Sequence, residues 1–391
     1  MKQKVLIYGY GNTYRKNIYW IKQLYTIVGI TDAKIMQSDR ERKEYKIEDA
    51  IELDFDIVLV TSSFWDEIKR NLIENFNVED SRIHWFLDEF LNERHIAFGG
   101  KNPDVIFYVF RAHWQESKNG FFNFFCRVIA CCYRVHQLGY ELLVDMKNYY
   151  TEYAGIERYG IVNIWEDYYE QPSRYTLEEV YQSKNVILSK FDDEQYNYPN
   201  LSNEKYFSNR WWSESYKILG NKFQIFPSKC LRECIDKEKK RLGLLKNVFG
   251  VLARGTDYIS LKPKKHSIPY NIDLLVDECK KRLLAGGYEY IYIATEDLDI
   301  LEKFQSSFGE RLLFSDQIRI HQNVDKVLMD IKFQRENDSY LRGLEYCVVI
   351  NILAECGSLL ANCNCYGAFG AIAINKGKYI TCEVMDSGIY D

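Results

Sequence analysis

No apolar stretch in this 391-residue chain reaches the roughly 18 residues that a membrane-spanning helix requires, so no span is expected, although peripheral association stays open. Long basic runs are missing as well. With a net charge of −5 and 27% charged residues, the chain is not built to hold nucleic acid. There is no internal repeat and no low-complexity tract, which leaves out solenoids and disordered tails. The 11 cysteines lack the spacing of a four-ligand zinc site, since the close pairs are Cys131-Cys132 and Cys363/Cys365. Their odd number, with no signal peptide ahead of them, points to reduced thiols in a cytoplasm.

What the chain does have is aromatic surface and length. Its 31 Tyr, 22 Phe and 7 Trp supply core and also faces on which sugars can stack. The length suits two or three domains. Lys4-Val5-Leu6-Ile7-Tyr8 runs as a strand into Gly9-Tyr10-Gly11; Tyr25 to Ile30 is a second strand followed by Asp32, and Asp56 to Ser63 holds a third. This is a partial dinucleotide fingerprint, with Tyr14 where the third glycine belongs. Residues 1–96 therefore read as a small Rossmann-like accessory domain. The Phe98-Gly99-Gly100-Lys101-Asn102-Pro103 segment reads as a linker, and the charged helix ending at Gly243 marks the next division, giving units 97–240 and 241–391. Tyr196 to Asn203 reads as an exposed loop, a candidate acceptor-side loop or a plain connection.

The densest chemistry lies after residue 250. Val248 to Ala253 is an apolar run that stops at Arg254-Gly255-Thr256-Asp257, the pattern of a buried strand delivering polar groups at its carboxyl end. Arg254 can meet a diphosphate with a forked, charge-assisted contact, or simply pair with Asp257. Tyr288 to Ala294 is a second such run, ending in Thr295-Glu296-Asp297 before a helical period begins; Asp297 doubles as a helix N-cap. Arg311 to Phe314 is a third short run, Leu341 to Glu355 a helix and Ser358 to Ala361 a strand. Asn362-Cys363-Asn364-Cys365-Tyr366-Gly367 is a turn, and a small-residue helix over Ala368 to Ile374 has an amino end suited to phosphate.

These segments in this order resemble the three motifs of the GDP-fucose-dependent fucosyltransferase superfamily, most closely its α1,6, α1,2 and nodulation-type enzymes. The resemblance covers roughly residues 100–391 and includes Asn119 to Phe125, Gly139 to Asp145 and Asn163 to Pro172. It implies an α/β, GT-B fold of two Rossmann-like lobes, here preceded by the amino-terminal domain. The first lobe would take a glycan acceptor, with Asn123, Asp145 and Trp165 on that side. The second would take the nucleotide sugar, for polysaccharide biosynthesis by inverting transfer without metal or other cofactor. Arg254 would stabilise the leaving diphosphate, and Asp257 or His266 would be the base. Gly255, Thr256, Thr295, Glu296, Asp297, Asn364, Cys365, Tyr366 and Gly367 would line the donor. Two departures stand out: the second arginine of the first motif is replaced by Gly255, and the acidic position of the preceding helix aligns with Cys347. The donor could thus be a sugar other than GDP-fucose. Two rival readings remain: a non-catalytic sugar-nucleotide binder or scaffold, and a nicotinamide-dependent oxidoreductase or epimerase working at Gly9 to Asp32.

Overall fold

The computed structural model describes residues 2–88, 92–111, 119–147, 153, 158–190, 197–202, 204–243 and 245–391. Its strands are short, apolar and separated by helical periods, a pattern that forces parallel pairing, because parallel neighbours need a crossover long enough for a helix. The amino-terminal sheet contains β1 (Gln3–Tyr8), β2 (Tyr25–Thr31), β3 (Ile57–Val60) and β4 (Ile83–Trp85) in the order β2-β1-β3-β4, all parallel. Helices Asn12–Leu24 and Trp65–Phe76 cover it. Asp32 is engaged by the chain itself: its carboxylate accepts the Tyr10 N–H at 2.8 Å and the Lys34 N–H at 3.1 Å. Tyr14 is buried where a glycine would let a pyrophosphate approach.

The middle sheet holds β5 (Arg94–Ile96), β6 (Lys101–Arg111), β7 (Glu141–Asp145) and β8 (Ser183–Leu188) in the order β5-β8-β6-β7. Only β5 is antiparallel, against β8. Strand β5 lies ahead of the expected division at 96/97 and hydrogen-bonds to β8 beyond it. The Gly99-Gly100 segment is no free linker. Gly99 donates to Ser183 O at 3.1 Å, and a Cβ there would overlap the Gln182 carbonyl. The second expected division, 240/241, falls inside the last turn of helix Lys229–Leu242.

In the last sheet β9 (Val248–Leu252), β10 (Tyr290–Ala294), β11 (Leu312–Leu313), β12 (Ser358–Ala361) and β13 (Cys382–Val384) run parallel in the order β11-β10-β9-β12-β13. Strands β9 and β12 are buried along their whole length, as continuous apolar runs between helical layers must be. The order reverses beside β9. One chain leg builds outward through β10 and β11, the other through β12 and β13, so β9/β12 is the switch point where ligands of such sheets sit.

One apolar core joins the middle and last units. Helix Tyr366–Asn375 is buried on nearly every side, which is why its sequence shows no polar face. Its Gly370 accepts the Phe122 ring from helix Phe121–Gln137, and its Ala373 carbonyl meets Gly220 of helix Asn209–Lys222 so closely that neither glycine could carry a side chain. Trp165 belongs to this core. It is fully buried, lies flat against Phe121 at 6.1 Å and donates its indole N–H to Glu170 O. Trp165, expected on the acceptor side, is thus enclosed by its own core.

Asp145 is likewise a structural residue. It ends β7 fully buried, and its carboxylate accepts the hydroxyls of Tyr19, from the amino-terminal unit, at 2.8 Å and Tyr181 at 2.7 Å. Burial pushes its acid upward from the ordinary value of 3.8, against the pull of the Lys147 N–H and the two hydroxyls. Beside it, the buried Arg111 guanidinium lies 5.2 Å from the Trp20 ring and donates to Ser189 O. Asp145, expected on the acceptor side, thus lies buried in this seam. Asn123 is half-buried on helix Phe121–Gln137, and its Oδ1 is enclosed within the protein.

Candidate functional site

The site is built where β9, β10 and β12 end together. Arg254 follows β9 by two residues, and its backbone is gripped from the end of β12: Asn362 Oδ1 accepts the Arg254 N–H, and Asn362 Nδ2 donates to the Arg254 carbonyl, each at 2.9 Å. The guanidinium is oriented by two carboxylates, Asp257 Oδ1 at 3.1 Å and Glu296 Oε1 at 3.0 Å. It also lies 4.5 Å from the centre of the Tyr258 ring. Burial works against its charge, but Glu296, Tyr258 and Asp257 outweigh that and hold it firmly protonated. Its side chain keeps 21% of its surface open, enough to meet a ligand.

The Gly255-Thr256 step is forced. Thr256 has a φ of +40°, a conformation that a β-branched residue adopts only when its surroundings fix it, at a cost of about 1–3 kcal/mol. Asp297 supplies the fixing, accepting the Thr256 N–H at 2.7 Å on one oxygen and the Ile300 N–H at 3.0 Å on the other. Glu296 adds to it, accepting from the Gly255 N–H at 3.1 Å and the Thr256 hydroxyl at 3.2 Å. A Cβ at position 255 would overlap the Asp297 carboxylate. Gly255 is thus locked in by the Asp297 carboxylate.

The expected donor residues divide by exposure. Thr256, Thr295 and Asp297 are buried, and their hydrogen bonds within the chain shape the loop. Thr295 accepts the Asp297 N–H on its hydroxyl, while its carbonyl accepts Gln317 Nε2 and Arg319 Nε. Asp297 is the N-cap of helix Leu298–Phe308, and burial raises its acid despite the Ile300 and Thr256 N–H groups. Asp297-Leu298-Asp299 has a spacing by which two carboxylates can share a cation, but the second one is turned to His321 Nδ1, 2.7 Å away, and to the Gln322 N–H. Among the described residues no group of three or more His, Cys, Asp or Glu is placed to hold a metal.

Glu296 and Arg254 remain half-open, and the 362–367 turn closes the opposite wall. Asn364 Nδ2 donates to Asn209 Oδ1 at 2.7 Å, tying the turn to the middle unit. Cys365 is half-buried, and the neighbouring Cys363 thiol lowers its pKa, aided by the Ala368 N–H and Arg254 against the effect of burial. Tyr366 is 40% exposed; Gly367 is buried with its Cα against the Tyr346 hydroxyl, where a side chain would clash. Helix Tyr366–Asn375 carries no side-chain cap at its amino end.

The two candidate bases differ in freedom. Asp257 is nearly buried, its oxygens shared among Arg254, the Thr256 hydroxyl and the Leu328 N–H. His266 is exposed, its ring edge-on to Tyr258 at 5.4 Å, one step from Arg254. Sequence reading missed Asn362, Tyr346 and Asn209 as parts of the site. Only Asn362 left a signal, as the first of two asparagines in a strand-ending turn.

Comparison with known proteins adds the following. Residues 1–84 match the family model described as C2185-like, N-terminal. No curated protein matches the chain in sequence. Among solved structures, the chain is similar to a fucosyltransferase NodZ from Bradyrhizobium, with 11% identity and a TM-score of 0.38 over 69% of this chain and 92% of that one. It is similar to POFUT1 in complex with GDP at 10% identity and a TM-score of 0.31, covering 98% of each chain. A variant of Arabidopsis thaliana FUT1 in complex with GDP gives 9% identity and a TM-score of 0.40, over 80% of this chain and 77% of that one.

Proposed function

We propose that the chain is a glycosyltransferase that binds a nucleotide sugar at the ends of β9, β10 and β12, with GDP-fucose the donor its motifs favour and a glycan as acceptor. The observation that supports this most is the placement of Arg254. Its guanidinium stands partly open at the switch point of a parallel sheet, its backbone held by Asn362 and its side chain aimed by Asp257 and Glu296.

In an inverting transfer the acceptor oxygen attacks the anomeric carbon from one face while the bond to the diphosphate breaks on the other. The acceptor proton passes to a base, and the nucleoside diphosphate leaves with the bonding electrons. Arg254 and the amino end of helix Tyr366–Asn375 would receive that developing charge, so the reading does without a metal. Glu296 would hydrogen-bond to ribose or base. Asp257 fits the role of holding Arg254 in place, which leaves the exposed His266 as the residue to test as base.

A second reading, binding without turnover, draws on one observation: the position of a second arginine is a glycine that the Asp297 carboxylate keeps closed. Thermal stabilisation by a panel of nucleotide sugars identifies the donor, because a ligand that binds only the native state raises Tm. Consumption of that donor then separates the readings. Transfer or slow hydrolysis abolished by Arg254→Ala supports catalysis; binding with no consumption in the presence of glycans supports the second reading; no stabilisation by any nucleotide sugar refutes both.

A further inference from the structure

The middle unit contains a cleft that the donor site does not use. It has a volume of about 780 Å³ and opens between residues 197–202 and 204–207, the start of helix Asn209–Lys222 and Tyr366. Its walls are aromatic. Tyr206 and Phe207 are 60% and 56% exposed, unusual for residues of this size, and their rings are held against Trp211 and Trp212 at 4.6 to 5.5 Å. Phe207 is fixed there with a φ of +62°, a left-handed conformation that an aromatic residue seldom takes. The Trp212 ring is itself braced flat on Tyr216, 5.8 Å away. The platform is thus rigid and open at once.

Polar groups interrupt this surface at its edges: Arg127, Asn200, Ser202 and Glu204 line the same cleft. Aromatic walls with a polar edge suit a ligand that carries both faces: a sugar offers C–H faces to the rings and hydroxyls to the edges, whereas an acyl chain offers nothing to the edges. The cleft is also connected to the donor site. Tyr366 lines it, directly after Cys365 and before Gly367, and Asn364 of the same turn is bonded to Asn209 at the head of the cleft's own helix. We infer that this cleft is an oligosaccharide-binding subsite, with Tyr206, Phe207 and Trp212 as stacking platforms and Tyr366 as the residue facing the donor side. Resting on the proposed transferase reading, it assigns the acceptor to the 197–212 region in place of Asp145 and Trp165.

The test is titration of the full chain with a panel of neutral and acidic oligosaccharides of two to five units, followed by tryptophan fluorescence and by saturation transfer to the sugar protons. At least one member should bind, and Tyr206→Ala and Phe207→Ala should each weaken it about tenfold while leaving the affinity for a nucleotide sugar unchanged. Both side chains are largely exposed, so neither change should unfold the protein. Binding of no oligosaccharide, unaltered binding by both variants, or displacement of the sugar by short-chain fatty acids would overturn the inference. Oligosaccharide binding at the cleft with no nucleotide sugar bound anywhere would instead leave the cleft standing and remove the transferase reading.

Discussion

Asn362 and Arg254 are joined by a reciprocal pair of hydrogen bonds, side-chain amide to backbone, 2.9 Å in both directions. The residue that follows β12 thereby sets the exit direction of the chain from β9. Removing the amide leaves an N–H and a carbonyl of Arg254 unpaired in a nearly enclosed place. Asn362→Ala should therefore cost about 2–4 kcal/mol in urea unfolding and lower donor affinity with it. Arg254→Lys keeps the charge but loses the fork, and should cut turnover by about 10² to 10³-fold with Tm little changed. Wild-type turnover in Arg254→Lys would take the guanidinium out of the mechanism.

Gly255 and Asp297 make a second, steric prediction. Gly255→Ala should destabilise the chain by about 1–3 kcal/mol, read as a fall in denaturation midpoint, because the added methyl meets a carboxylate that is itself holding Thr256 and Ile300. For the same reason Gly255→Arg should not create a second phosphate contact. Tighter donor binding in that variant would show that the loop can rearrange.

Asp145 yields a pH dependence with a definite sign. Burial raises its pKa in the fold above the unfolded value, so the fold prefers the protonated acid. That contribution is fully present below the unfolded value near 3.8 and is lost as pH rises through the folded one. Relative to Asp145→Asn, the wild type should gain stability as pH falls from neutrality toward 4, in paired thermal melts. A constant difference across that range would mean that Asp145 does not titrate between the two states.

The amino-terminal unit should not be removable without consequence. Deleting residues 1–88 takes the Tyr19 hydroxyl from Asp145 and the Trp20 ring from Arg111, exposing a buried acid and a buried guanidinium. The truncated chain should be insoluble or melt markedly lower, and the milder Tyr19→Phe should cost about 1–2 kcal/mol. A truncated chain with unchanged Tm would reduce the seam to incidental contact.

Turnover should persist in EDTA, since the leaving diphosphate would meet Arg254 and a helix amino end. Loss on chelation, restored by magnesium or manganese, would require a different arrangement of charge at the site.

The sequence alone determined the strands and the chemistry at their ends. Val248 to Leu252 and Leu359 to Ala361 are short apolar runs bounded by polar turns, the pattern of buried parallel strands with functional groups at their tips. Arg254, Glu296 and the 362–367 turn were legible for that reason, as was the module around Gly9 and Gly11. Only the tertiary structure decided which of these residues face outward. Asp297 and Asp145 read as ligands because a carboxylate after a strand looks the same whether it meets a substrate or its own backbone; both turned out to be enclosed by partners distant in sequence. Trp165 was absorbed by a core drawn from both lobes, and β5 joined a sheet its position did not announce. Strand order, the pairing of Asn362 with Arg254 across 108 positions, and the gathering of Tyr206, Phe207 and Tyr366 around one cleft depend on contacts between distant segments, which local periodicity does not encode.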